Sequence, residues 1–188
     1  MRMRKARLLT WTLAIAVGVP ALASAQGRMP HKGAGAFGAD VGLFLPREDG
    51  LASGPVIEGF YEYYLSARDS VRVGAGWLDP KFERERADSI RQIRIAVDVL
   101  HNWEGGTVHP FVGAGLGTYF LQLRDNGTSV GESDTKLGGT VFAGAEFFTS
   151  NTFAVKGEAR YHIVQKVGVI NPINPSGLAL TIGVKSYF

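Results

Sequence analysis

Eight segments of this chain alternate apolar with polar or small residues at period two, and this alternation constrains the fold more than any other feature. They span 35–45, 56–65, 71–77, 90–100, 110–120, 136–147, 153–163 and 178–188. No stretch keeps the i, i+3, i+4, i+7 apolar spacing of an amphipathic helix over three turns, so the pattern predicts an all-β fold. Most of the segments approach the roughly 9–11 residues that a tilted strand needs to cross a bilayer. The connections also alternate. SARDS (66–70), HNWEGGTVH (101–109) and the turn around Ser150 are short or fairly short, whereas PREDGLASGP (46–55), DPKFERERAD (79–88), DNGTSVGESD (125–134) and KVGVINPINPS (166–176) are longer and more polar.

The two faces of each segment differ in chemistry. One face is apolar throughout, for example Val41, Leu43 and Leu45 in the first segment and Ile93, Ile95, Val97 and Val99 in the fourth, and these faces carry no Asp, Glu, Lys or Arg. The opposite faces carry six acids, Asp40, Glu58, Glu62, Asp98, Glu146 and Glu158, and five bases, Arg72, Arg94, Lys156, Arg160 and Lys185, with His162 as a further donor. Confining an unpaired charge costs several kcal/mol, so this near-balance is what a closed network of ion pairs inside a barrel requires. Glycines such as Gly38, Gly74, Gly115 and Gly183 lie on the same faces. They would weaken a wetted exterior, but they make room in an interior only just wide enough for side chains. Phe44, Phe60, Tyr64, Phe111, Tyr119, Phe142, Phe148 and Tyr187 add bulk there, which argues for a filled lumen. The sequence therefore predicts an eight-stranded antiparallel transmembrane up-and-down β-barrel, apolar face to lipid and polar face to lumen.

Charge enters the argument at the N-terminus. The formal charge of +3 includes Arg2, Arg4, Lys5 and Arg7, which precede an apolar stretch from Leu8 to Ala23 and the small-residue motif Ala23-Ser24-Ala25. That order predicts a signal peptide over 1–25, cut between Ala25 and Gln26, then a flexible periplasmic lead-in over 26–34 and a barrel over 35–188. Removal of the leader leaves 16 basic against 17 acidic residues, a net of −1, so no nucleic-acid partner is expected. The absence of cysteine excludes disulfide scaffolds, thiolate chemistry and cysteine-ligated metals.

Phrases such as HPFVGAGLGTYF, KLGGTVFAGAEFF and VKGEARYHI, together with the terminal GVKSYF, resemble the OmpA/OmpX-type outer-membrane barrel domains of Gram-negative bacteria. The resemblance implies a C-terminal insertion signal through Ile182, Val184 and Phe188, with Ser186 standing where an apolar residue is usual. It implies the barrel assembly machinery and periplasmic chaperones as partners in biogenesis, and outer-membrane lipid and lipopolysaccharide as surroundings, with Arg84 and Arg86 as candidate phosphate contacts.

Catalytic patterns are sparse. The resemblance to lipid A-modifying barrels would require a His with a nearby Ser, but His162 is followed at i+2 by Val164 and shares its face with Glu158 and Arg160. His101, Glu104 and His109 carry no recognisable ligand spacing, and Gly113-x-Gly115-x-Gly117 lies in an alternating strand with no helix to receive a phosphate. NPINP is a turn-stiffening sequence. The expected function is a non-enzymatic outer-membrane barrel without cofactors, with a closed ion-paired lumen and four extracellular loops. A narrow pore for small or apolar solutes is the alternative, and a lipid A-modifying enzyme comes third.

Overall fold

The computed structural model describes residues 30–83, 88–167 and 173–188. Eight long strands form the molecule: β1 (Gly35–Pro46), β2 (Gly54–Tyr64), β3 (Asp69–Leu78), β4 (Ser89–Asn102), β5 (Val108–Asp125), β6 (Asp134–Ser150), β7 (Phe153–Val164) and β8 (Gly177–Tyr187). Each pairs antiparallel with its neighbours in the chain, and β1 pairs with β8, which closes the barrel. The predicted all-β up-and-down barrel is the fold observed.

Burial follows the alternation. Leu116, Ile182 and Leu137 on the outer wall are 77%, 68% and 66% exposed, whereas Arg72 and Arg160 on the inner wall are each 2% exposed. An apolar wall around a charged interior is stable where the wall meets hydrocarbon, because the strand ladders continue around the closed ring and the wall itself needs no water.

The two ends of the barrel are unlike. The tight turns 65–68, 103–107 and 151–152 lie at the end where Gly35 and Phe188 exchange backbone hydrogen bonds of 3.1 and 2.9 Å. At the opposite, loop end, several strands run further than their apolar pattern, since alternation fades where they rise past the apolar belt. The segment 125–134, expected as an open loop, is largely a hairpin tip. Asn126 and Gly127 take φ values of 48° and 80°, and Arg124 and Asp125 pair with Ser129 and Thr128. The Asn-Gly pair supplies the two left-handed residues that such a two-residue turn demands. The loops 46–55 and 79–88 are not independent either, since Leu51–Ala52 pairs with Lys81–Phe82. Ala25 and Gln26, Arg84 and Arg86, and Asn171 and Pro172 of NPINP lie outside the described residues.

Candidate functional site

The six acids and five bases of the inner faces form one connected network. Glu158 is its hub, accepting from Arg160 at 2.7 Å, Arg72 at 2.8 Å and Lys156 at 2.9 Å. From Lys156 the chain of contacts reaches Asp40 at 2.8 Å. From Arg72 it passes to Glu62 at 3.0 Å, on to Lys185 at 2.9 Å and then to Glu146 at 2.7 Å. From Arg160 it passes to Asp98 at 2.8 Å, to Arg94 at 2.7 Å and to Glu58 at 3.0 Å. All eleven are buried. β5 contributes none of them. Its Gly115 stands opposite Asp98, and a Cβ there would lie on Asp98 Oδ1, just as one at Gly183 would lie on Asp40 Oδ1.

Neutral groups complete the network. Ser70 donates to Glu62 at 2.7 Å, and Thr140 lies 3.5 Å from Arg94, 3.2 Å from Arg160 and 3.4 Å from Asp98. Tyr187 donates to Glu146, and Lys185 Nζ, 2.8 Å from the Tyr64 hydroxyl, sits between the Tyr64 and Tyr187 rings at 5.2 and 5.0 Å. Arg72 lies over Phe60 at 4.3 Å and Arg160 over Phe142 at 3.9 Å, so ring faces as well as carboxylates receive the cations. Ser70, Thr140, Tyr64 and Tyr187 escape a reading limited to charge, although each shares the parity of its charged neighbours. The cavity beside Glu58, Arg72, Arg94, Asp98 and Arg160 amounts to about 10 Å³, room for about one water molecule.

The histidines occupy separate places. His162 is buried, with Nδ1 2.9 Å from the Tyr119 hydroxyl and its ring edge-on to Phe44. Among the described residues it makes no ion pair or hydrogen bond with the eleven charges, and it stands on their loop side as a packed residue bonded to Tyr119. His101 faces outward and pairs with Asp69 at 2.8 Å, whereas His109 faces inward and bonds the Gly106 carbonyl at 2.9 Å. Glu104 instead approaches Arg68, at 3.7 Å. Among the described residues no three His, Cys, Asp or Glu side chains are grouped to hold a metal ion. Ile182 and Val184 face outward on β8, and Phe188 stacks on Phe37 at 5.4 Å between ring centres.

Above His162 the lumen changes character. Leu51, Ile90, Tyr119, Leu121 and Val164 form a buried apolar cluster, against which Phe82, Val167 and Ile173 pack from the loops. Val167 and Ile173 pair with each other through backbone bonds of 2.9 and 2.8 Å, which holds both against the apolar cluster. Beside the cluster a cavity of about 180 Å³ is lined by Ile90, Leu121, Leu123, Val167 and Ile173, with Glu132 and Asp134 at its polar side.

A family model described as an outer membrane protein beta-barrel domain matches residues 9–188. In structure the chain is similar to Neisserial surface protein A, with a TM-score of 0.68 and 18% identity, over 84% of this chain and 100% of that one. It is similar to OprG from Pseudomonas aeruginosa, with a TM-score of 0.65 and 14% identity, over 87% and 99%. It is also similar to Ail, the attachment invasion locus protein of Yersinia pestis, with a TM-score of 0.56 and 15% identity, over 84% and 99%. At such identities the likeness is one of fold. No curated protein matches the chain in sequence.

Proposed function

Because the chain belongs to the outer-membrane β-barrel family and is therefore an outer-membrane protein, we propose that it is a non-enzymatic barrel whose lumen stays closed and whose four loops act at the cell surface. The observation that carries this reading is the single network of eleven buried charges spanning the lumen, with room for about one water molecule beside Glu58, Arg94 and Arg160. An ion entering would have to break several charge-assisted bonds at once, each roughly twice as strong as a neutral one. Planar-bilayer recordings of the refolded chain should show no discrete conductance steps even at high protein load, and regular steps would replace the closed reading with a pore. The folded chain should migrate differently on a gel before and after boiling, and identical migration would contradict a closed barrel.

The loop end is proposed to face outward and the turn end the periplasm, in keeping with short periplasmic turns and longer extracellular loops. Since the chain has no cysteine, Asn126→Cys offers a clean test: a membrane-impermeant thiol reagent should label it in intact cells and leave Ser66→Cys unlabelled. A cleaved leader predicts a mature N-terminus at Gln26, which mass spectrometry of the outer-membrane form reads directly. The barrel assembly machinery, periplasmic chaperones and lipopolysaccharide are proposed partners on family grounds.

A narrow path for small or apolar solutes is the second reading, and the largely apolar cavity beside Leu121, Val167 and Ile173 favours it. Faster entry of an apolar dye into vesicles containing the chain would support it. A lipid A-modifying enzyme is third. It requires mass changes in lipid A that vanish with His162→Ala, and the packing of His162 against Tyr119 and Phe44 supports a structural role instead.

A further inference from the structure

The outer wall near the loop end carries a sequence of cross-strand rows whose chemistry changes over a few residues. Trp77, Ile93 and Phe120 lie side by side on β3, β4 and β5. Two residues further out Arg91 stands opposite Gln122. Two residues beyond that, Lys81, Ser89, Arg124 and Ser129 form one continuous row, with Lys81 opposite Ser89, Ser89 opposite Arg124, and Arg124 opposite Ser129. Strands are about 4.8 Å apart and same-face residues about 7 Å apart along a strand. Lys81, Arg91 and Arg124 therefore surround Ser89 on one face, each with its Cα within about 5–7 Å of it.

These cations are poorly matched by protein acids. Among the described residues no carboxylate oxygen lies within 4.0 Å of any of the three. Asp79 borders the patch, and Asp88 accepts the Asn126 amide. Arg124 donates one hydrogen bond to the Gly127 carbonyl, while the Nε atoms of Arg91 and Arg124 have no hydrogen-bond partner. Aromatic residues immediately below cations are the pattern of a membrane–water interface, where rings sit at head-group level and cations meet anionic lipid.

We propose that Lys81, Arg91 and Arg124, with the exposed hydroxyl of Ser129, form a binding site on the outer wall, over the buried Ser89, for the phosphate of a lipid head group in the adjacent leaflet. Three converging cations and one exposed hydroxyl suit a phosphate, whose oxygens accept several charge-assisted hydrogen bonds at once. The position just beyond the Trp77–Ile93–Phe120 row places that phosphate where the lipid's acyl chains can run down the apolar wall. The site rests on the membrane-spanning reading above. Its assignment to the outer leaflet rests on the proposed orientation.

The test uses the full chain refolded in neutral detergent, with bound lipid counted by native mass spectrometry. Phosphorylated lipid A should be retained by the parent chain, and its dephosphorylated form should not. Each cation removed should weaken retention by about fivefold, from the usual strength of one basic residue at an anionic membrane surface. The triple variant K81Q/R91Q/R124Q should thus lose most of it, while K81R/R91K/R124K keeps it and Lys32→Gln with Arg68→Gln at the turn end binds like the parent. The heat-dependent gel shift identifies any variant that fails to fold, and for such a variant the single substitutions carry the comparison. Equal retention by the neutralised and parent chains would overturn the site, as would equal loss on neutralising the turn end. Tight binding of inorganic phosphate alone would overturn the lipid assignment. Loss of retention in the triple variant without surface labelling of Asn126→Cys would keep the site and reverse only its leaflet.

Discussion

In the middle of the barrel eleven charged side chains meet across the lumen, whereas at the loop end Leu51, Ile90, Leu121 and Val164 close the same channel with hydrocarbon. The middle is bounded by eight paired strands, so its side chains have fixed origins and charges can be matched at 2.7–3.0 Å. The mouth is completed partly by loop residues, Phe82, Val167 and Ile173, whose backbone is held by short two-residue pairings. Directional bonds demand fixed geometry, while apolar contact tolerates adjustment. The difference teaches that each closure uses the interaction its scaffold can position.

The largest expected effect lies in the middle. Glu158→Gln would leave Lys156, Arg72 and Arg160 without their shared anion, and breaking buried pairs in this way costs about 3–5 kcal/mol. Urea unfolding in lipid should show a loss of that size, and a loss below about 1 kcal/mol would mean that the network is solvated rather than closed. At the mouth, Leu121→Ala should cost about 2 kcal/mol, the low end for a buried leucine, because the loops can settle into the space. The same variant should leave bilayer recordings silent, and conductance steps from it would show that the apolar cluster, not the charges, seals the lumen.

Smaller effects sharpen the contrast. Gly115→Ala would set a methyl group against Asp98, and unfolding should show a cost of about 1–2 kcal/mol from overpacking a rigid site. A neutral result would imply that Asp98 can move aside. Gly127→Ala, at φ 80°, should cost about 1 kcal/mol locally. Hydrogen exchange should quicken at Arg124–Ser129 with the global midpoint unchanged, and a shift of that midpoint would tie the hairpin tip to the barrel's cooperative unit.

Much of the barrel was legible because period-two alternation is a local property, readable from each strand alone. Parity along the strand separates Val97 and Val99 from Asp98, and Val155 from Lys156, without knowledge of any partner. Strand ends were less legible. The rise of β5 to Asp125 inverts the alternation, with Leu121 and Leu123 on the lumen side and Gln122 and Arg124 on the outer side, because those residues stand beyond the belt that demands an apolar outer face. The coupling of Leu51–Ala52 to Lys81–Phe82 is invisible locally, since nothing in either loop names the other.

By itself, the sequence determined the strand number, the faces and the near-equality of charge on the inner one, because side-chain direction in a strand follows from backbone geometry. Only the tertiary structure decided who pairs with whom. Lys156 stands opposite Glu146 in the sheet, yet it bonds Asp40 and Glu158 while Lys185 takes Glu146. Arg72 stands opposite Asp98, yet Asp98 bonds Arg94 and Arg160. In a closed barrel long side chains reach across the lumen as readily as along the wall, so the pairing follows the barrel's diameter and stagger, which no single strand encodes.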